Sequence, residues 1–252
     1  MSIQLTKKIV KHNEKVKAWL RGAIELSREQ IAEYVSPHSG ERSQWFTPLE
    51  TALDLCQRIQ QRHFDEQHGT HLRVLEPCAG IGNLIYPMIG REKVALVGYE
   101  IDDEIAPIAA KLCAGDLMVV TQGDVFNQLA SAAGFYDLVL MNAPFNIEYG
   151  QMRAREVAPK WATTSGARFL WFALTALARD GQLLALGPYN FLDRLTNDGK
   201  AWFEKNGQLA ERYQAGEING ITVFGYDIRK VTVGPAVVSQ VAGAAAEQQR
   251  FI

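Results

Sequence analysis

The stretch that most constrains this chain is Val74-Leu75-Glu76-Pro77-Cys78-Ala79-Gly80-Ile81-Gly82-Asn83-Leu84. A short apolar run ends in a carboxylate, and two glycines one residue apart lead into a new apolar segment. The pattern predicts a strand, a tight turn and a helix. Glycine is needed where the backbone turns sharply or where a ligand presses against the main chain, and a helix starting there would aim its amides into the same crevice. The stretch is therefore a nucleotide-type site or a plain strand-to-helix turn. It is not the dinucleotide fingerprint, which needs a third glycine where Asn83-Leu84-Ile85 follow, so a nicotinamide cofactor is disfavoured.

Downstream segments place polar groups on one edge. Val94-Ala95-Leu96-Val97-Gly98-Tyr99 reads as a second buried strand ending in Glu100-Ile101-Asp102. A carboxylate in that position can accept hydrogen bonds from two ribose hydroxyls, or it is a surface acid at a strand end. Residues 103–115 are predicted helical and Leu117 to Thr121 extended. The loop Gln122-Gly123-Asp124-Val125-Phe126 then puts Asp124 on the same edge as Glu76 and Glu100.

The fourth strand, Tyr136 to Met141, runs into Asn142-Ala143-Pro144-Phe145. An asparagine side-chain oxygen and the next backbone carbonyl can together accept both protons of an exocyclic amine. Proline stiffens such a turn, and the aromatic ring offers a stacking face. The bland reading is a tight turn with a core phenylalanine.

Residues 146–165 are polar, carry Arg153, Arg155 and Lys160, and read as a loop over the site. A helix from Ala167 to Ala178 and a turn at Asp180-Gly181-Gln182 follow. A strand from Leu183 to Leu186 and strands within 221–234, with Gly225 as a bend, complete the pattern. Strands separated by helices imply an α/β fold with a mostly parallel, doubly wound sheet, whose ligands bind at the carboxyl ends of the strands.

Upstream, residues 5–35 read as one helix, with Lys7, Lys8, Lys11, Lys15, Lys17 and Arg21 set against Glu14. Such a run is a solvated face or a contact to phosphates. Ser36-Pro37-His38-Ser39-Gly40 breaks it. In Gln44-Trp45-Phe46-Thr47-Pro48-Leu49-Glu50, Thr47 is expected as N-cap and Pro48 as the first helical residue. The resulting organisation is a helical extension over 1–43, a main domain over 44–235 and a peripheral tail over 236–252.

Composition narrows the partners. With 252 residues, 47% hydrophobic and 21% charged, the chain has the make-up of a globular protein with one main core. A net charge of -2 gives no global attraction to nucleic acid, so any such contact needs a local basic patch. Cys56, Cys78 and Cys113 form no C-x-x-C pair and the histidines no ligand pattern, which predicts a reducing compartment and no metal. No apolar leader or spanning run occurs, so a cytoplasmic protein with no membrane contact is expected.

Taken together, Phe46-Thr47-Pro48, Glu76-Pro77-Cys78-Ala79-Gly80-Ile81-Gly82, Glu100, Gly123-Asp124-Val125-Phe126 and Asn142-Ala143-Pro144-Phe145 resemble the class I S-adenosylmethionine-dependent methyltransferases. More narrowly, they resemble the N6-adenine DNA methyltransferases found with restriction systems. The resemblance covers about residues 44–234 and implies a seven-stranded Rossmann-like methyltransferase sheet with S-adenosyl-L-methionine as cofactor. It implies that Phe46, Thr47, Pro48, Gly80 and Gly82 line the methionine end, with Glu76, Pro77 and Ala79 near it. Glu100 with Ile101 would take the ribose, and Asp124, Val125 and Phe126 the adenine. Asn142 and the Ala143 carbonyl would grip the amine of an adenine flipped out of DNA, and Pro144 and Phe145 would complete the turn and the stack. The family turn usually carries two prolines, and Ala143 stands in place of the first. No target-recognition domain follows residue 234, so specificity would come from the basic helix, the 146–165 loop, a separate specificity subunit or a homodimer. An RNA adenine or a protein glutamine is the rival substrate, and a degenerate module that binds DNA or a partner is the non-enzymatic rival.

Overall fold

The computed structural model describes residues 14–35, 46–60, 63, 71–144, 157–218 and 220–231. Its centre is a seven-stranded sheet in the order β3-β2-β1-β4-β5-β7-β6. The strands are β1 (Leu72–Glu76), β2 (Val94–Glu100), β3 (Met118–Gln122), β4 (Tyr136–Met141), β5 (Leu177–Gly187), β6 (Gly207–Ile218) and β7 (Ile221–Lys230). All neighbouring pairs are parallel except those made by β7, which runs antiparallel to both β5 and β6. The strand order reverses between β1 and β4. In an open α/β sheet that is where a crevice opens beyond the strand ends.

Side chains alternate across the pleat, and the sequence uses both faces. Val74, Leu138, Leu140, Leu184 and Leu186 belong to one core, with Ala52, Leu55 and Cys56 of the helix Leu49–Gln57. Leu75, Val139, Met141, Leu183 and Ala185 belong to the other, with Phe169, Leu170 and Phe172 of the helix Ser165–Ala176. These near-continuous apolar runs are what a parallel strand covered on both faces requires.

The long N-terminal helix expected over 5–35 is not continuous. Two helices, α1 (Glu14–Leu20) and α2 (Arg28–Val35), are separated by a turn at Gly22, whose φ is +73°. Ser27 restarts the chain with a capping box: its hydroxyl accepts from the Gln30 amide at 3.2 Å, and the Gln30 side chain accepts from the Ser27 amide at 2.9 Å. Val16, Trp19, Ile31 and Val35 pack in one cluster with Ile81 of the glycine turn and with Ile105 and Ile108. The expected boundary between 43 and 44 therefore divides residues that share a core. Lys7, Lys8 and Lys11, the 146–156 part of the expected loop, and the tail over 236–252 lie outside the described residues.

Past β2 the helices are α4 (Ala106–Leu112), the short α5 (Leu129–Ala132), α6 (Ser165–Ala176) and α7 (Asn197–Asn206), the helix Leu49–Gln57 being α3. Neither α7 nor β6 was expected. Gly225 is no bend: it sits in register between Tyr213 and Leu186, and a Cβ there would fall 2.2 Å from the Tyr213 ring. Among the described residues no helix is long and apolar enough to cross a membrane.

Candidate active site

The carboxyl end of β1 delivers Glu76, which is 1% exposed and whose Oε2 has no partner among the described residues. Beyond it Gly80 and Gly82 take φ values of +55° and +76°, the left-handed region that favours glycine. The two positions also differ in packing. A Cβ on Gly80 would meet the Phe46 ring at 3.0 Å, whereas one on Gly82 would fall 2.1 Å from Cys113 Sγ. The regular helix expected next does not form. The chain turns and makes only a 3-10 segment, Tyr86–Met88, because Pro87 lacks an N–H. The crevice is thus supplied with amides by the turn and not by a helix end.

Glu100, at the end of β2, closes the turn from the other side. Its Oε2 accepts from the Gly80 amide at 2.8 Å and its Oε1 from the Asp102 amide at 2.8 Å. Burial raises its carboxyl to about 7, against the downward pull of those amides. Burial, and next the neighbouring Glu100, pushes Glu76 well above the usual carboxylate range. Two buried acids at one edge without a direct cationic partner are unusual for a mere scaffold.

On the β4 side, Asn142 Nδ2 donates to Thr47 Oγ1 at 3.0 Å. Thr47 is buried, and its hydroxyl holds Asn142 and not the helix start. The N-cap of α3 is Pro48, with no side-chain cap, so the expected capping role of Thr47 is corrected. Local capping chemistry lost to a tertiary hydrogen bond here. The Asn83 amide donates to the Thr47 carbonyl at 3.0 Å and its oxygen accepts from Arg28 Nη1 at 3.1 Å. Arg28 also donates to the carbonyls of Ile81, at 3.1 Å, and Leu112, at 2.8 Å. The Cys78 thiol lies 3.7 Å from the Asn142 carbonyl.

Arg28 and Asn83 were missed as candidates. The signal was present: Arg28 shares its spacing with Ile31 and Val35, so a charge sits on the buried stripe of α2.

Other expected residues divide. Ile101 is exposed beside Glu100, while Pro77, Ala79 and Ala143 are buried and Pro144 half-buried. Asp124 accepts from the Phe126 amide at 3.0 Å. The Phe126 ring itself is 2% exposed and packs on Phe169 and Phe172 at 5.1 and 5.3 Å, and Val125 is buried as well. The Phe126 ring is thus part of the core, and its backbone amide holds Asp124, the member of the Asp124–Phe126 segment left for the adenine. Phe145 lies outside the described residues. A cleft of about 380 Å³ opens beside this edge between α2 and the Phe46–Leu49 segment, lined by Arg28, Phe46, Thr47, Pro48 and Asn83 among others.

The strand order, the glycine turn after β1 and the acid after β2 define the fold of the class I S-adenosylmethionine-dependent methyltransferases. No family model and no curated protein matches the sequence. Among solved structures, the chain is similar to a Listeria monocytogenes protein described as a class I methyltransferase of this kind. That likeness has a TM-score of 0.62 and 18% identity, and covers 92% of this chain and 79% of that one. It is also similar to the type IIG restriction endonuclease BpuSI, with a TM-score of 0.58, 17% identity and coverage of 81% and 27%. DrdV, solved in complex with DNA, gives 0.57, 16%, and 80% and 28%. The chain thus spans little more than a quarter of BpuSI and of DrdV.

Proposed function

We propose that this protein transfers a methyl group from S-adenosyl-L-methionine to the N6 amine of adenine in DNA. The observation that carries the reading is the Asn142–Thr47 hydrogen bond. In this reading the Thr47 contact fixes the Asn142 amide at the carboxyl end of β4, and Asn142 Oδ1 and the Ala143 carbonyl serve as the two acceptors. Two such acceptors take both protons of a planar amine and draw electron density onto its nitrogen. Ala143 keeps the carbonyl that the family's proline would supply, and its burial at 2% exposure replaces ring rigidity with packing.

The crevice fits the cofactor. Glu76 offers an unpartnered buried oxygen to a cationic group, and Gly80 and Gly82 leave room for close approach. In this reading Phe46, Thr47 and Pro48 border the methionine end, Glu100 accepts from the ribose with Ile101 beside it, and Asp124 meets the adenine. The bound cofactor supplies an electrophilic methyl on a sulfonium. The protein's part is alignment: Asn142 and Ala143 fix the amine nitrogen so that its lone pair faces that methyl.

DNA as substrate is supported by Phe46-Thr47-Pro48 and by the likeness to BpuSI and to DrdV in its DNA complex. A separate specificity subunit or a second copy is the partner this reading assigns to sequence readout. The test is transfer of labelled methyl to unmethylated DNA, RNA and protein in parallel, with the labelled nucleoside identified by mass. N6-methyladenine in DNA is the expected product. Label appearing only in RNA or in glutamine side chains overturns the substrate, and none in any of them overturns the activity.

A further inference from the structure

We propose that Tyr189 and Arg212 form a platform on which an unpaired nucleobase stacks beside the reaction site. The proposal rests on the nucleic-acid reading given above. Tyr189 follows β5 by two residues, on the edge of the sheet that carries Asn142. Met141 pairs with Ala185 across β4 and β5, so Asn142 and Tyr189 stand one and four residues beyond that rung on adjacent strands. Both residues thus leave adjacent parallel strands at the same carboxyl edge of the sheet.

The turn is built to be rigid. Tyr226 Oη lies 2.5 Å from the Pro188 carbonyl and 2.7 Å from that of Tyr189. Arg212 Nη1 donates to the same Tyr189 carbonyl at 3.2 Å and its Nη2 to the Tyr189 hydroxyl at 3.0 Å. The guanidinium lies 4.0 Å from the ring centroid, and Phe224 meets the ring nearly edge-on at 5.0 Å. Yet Tyr189 is 55% exposed. An aromatic ring pinned at its backbone, held at its hydroxyl and backed by a cation, but left open to water, contributes little to the core. It presents an aromatic ring of fixed orientation to solvent.

Such a ring suits a base that is out of its duplex. Base–aromatic stacking tolerates any sequence because every base has a π-face, and an arginine behind the ring adds attraction for the phosphate chain. The exposed Asp193 lies 4.0 Å from Arg212.

The test measures affinity of the full chain for a fluorescent single-stranded oligodeoxynucleotide and its ribo-counterpart, using the wild type, Tyr189→Phe, Tyr189→Ala and Arg212→Gln. Calorimetric affinity for S-adenosyl-L-methionine and the thermal midpoint are followed in each. Tyr189→Ala is expected to weaken oligonucleotide binding about 5- to 150-fold, with Tyr189→Phe close to the wild type, Arg212→Gln between them and cofactor affinity unchanged. Loss in both oligonucleotides, or in only one, supports the platform and identifies its chain. Equal binding by the wild type and Tyr189→Ala overturns the platform and leaves the methyltransferase reading standing. A wild type that binds neither oligonucleotide overturns the platform together with the nucleic-acid reading.

Discussion

Asp227 on the antiparallel side of the sheet and Glu76 with Glu100 on the parallel side are buried carboxylates held in different ways. On the antiparallel side, Gln182 is fully buried and bridges three elements: it accepts from the Gln60 amide at 3.0 Å and donates to the Arg58 carbonyl at 2.9 Å and to Asp227 at 3.1 Å. Asp227 also pairs with Arg229, and Arg58 pairs with Glu211 at 2.7 Å while stacking on Tyr213. On the β2-β1-β4 side, Glu100 is held by backbone amides alone and Glu76 keeps an oxygen without a partner. Buried carboxylates are costly unless they are paired. On the proposed function, Glu76 and Glu100 are the buried acids left for a ligand to partner.

The largest effect that could break this division is catalytic. Asn142→Ala is expected to lower methyl transfer by about 100-fold or more, by analogy with misplaced reacting groups, while cofactor affinity measured by calorimetry stays near the wild type. Transfer that survives in this variant removes Asn142 from the chemistry.

Next comes the glycine turn. Gly82→Ala places a Cβ in the Cys113 sulfur at a positive φ and is expected to cost about 2–5 kcal/mol of folding stability by denaturant titration. Adding Cys113→Ala should recover the steric part. No recovery would mean that backbone strain alone makes Gly82 necessary.

The antiparallel side gives the converse experiment. Gln182→Leu strands the Asp227 oxygen and the Gln60 amide, and is expected to cost about 1–3 kcal/mol with turnover and cofactor affinity unaltered at a temperature where the variant is folded. A change in turnover would blur the division between the two sides.

A pH series sharpens it further. Glu100 titrates near 7 in the folded chain, above its ordinary value. The stability it contributes in its protonated form is lost as pH rises through about 7, whereas its capacity to accept ribose hydroxyls is gained. Cofactor affinity should therefore rise with pH up to about 7, by at most about tenfold per unit, and this rise should be absent in Glu100→Gln.

The smallest effect is second-hand. Thr47→Val removes the acceptor that orients Asn142 and should cost about 1 kcal/mol, or about fivefold in turnover, with Thr47→Ser restoring it.

Much of this was legible in the residues. β2 and β4 fall where their apolar runs predicted, and β3 within a residue; β4 is buried on both faces and written as one continuous hydrophobic run, β2 buries alternate residues, and β3 is an edge strand with only Val120 buried. The polar residues at their carboxyl ends inherited their meaning from that placement. What escaped had weaker or misleading local signals. β6 is an edge strand whose exposed Glu211, Arg212 and Gln214 show no alternation, and it exists because β7 pairs along its length. Thr47 carries every mark of an N-cap, yet Asn142, distant in sequence, claims its hydroxyl. Phe126 follows an acid at a strand end but turns into the core between Phe169 and Phe172, where burial outweighs any ligand contact. The break at Gly22 was readable, since Ser27 and Gln30 spell a capping box.

The most direct test of the division is hydrogen–deuterium exchange with and without S-adenosyl-L-methionine. The expected result is added protection at 76–83 and 100–102, where the amides and unpaired acids converge, with β6 and β7 unchanged. Protection absent from those two segments, or spread evenly over the sheet, would contradict the placement of the cofactor site at the β1–β4 reversal.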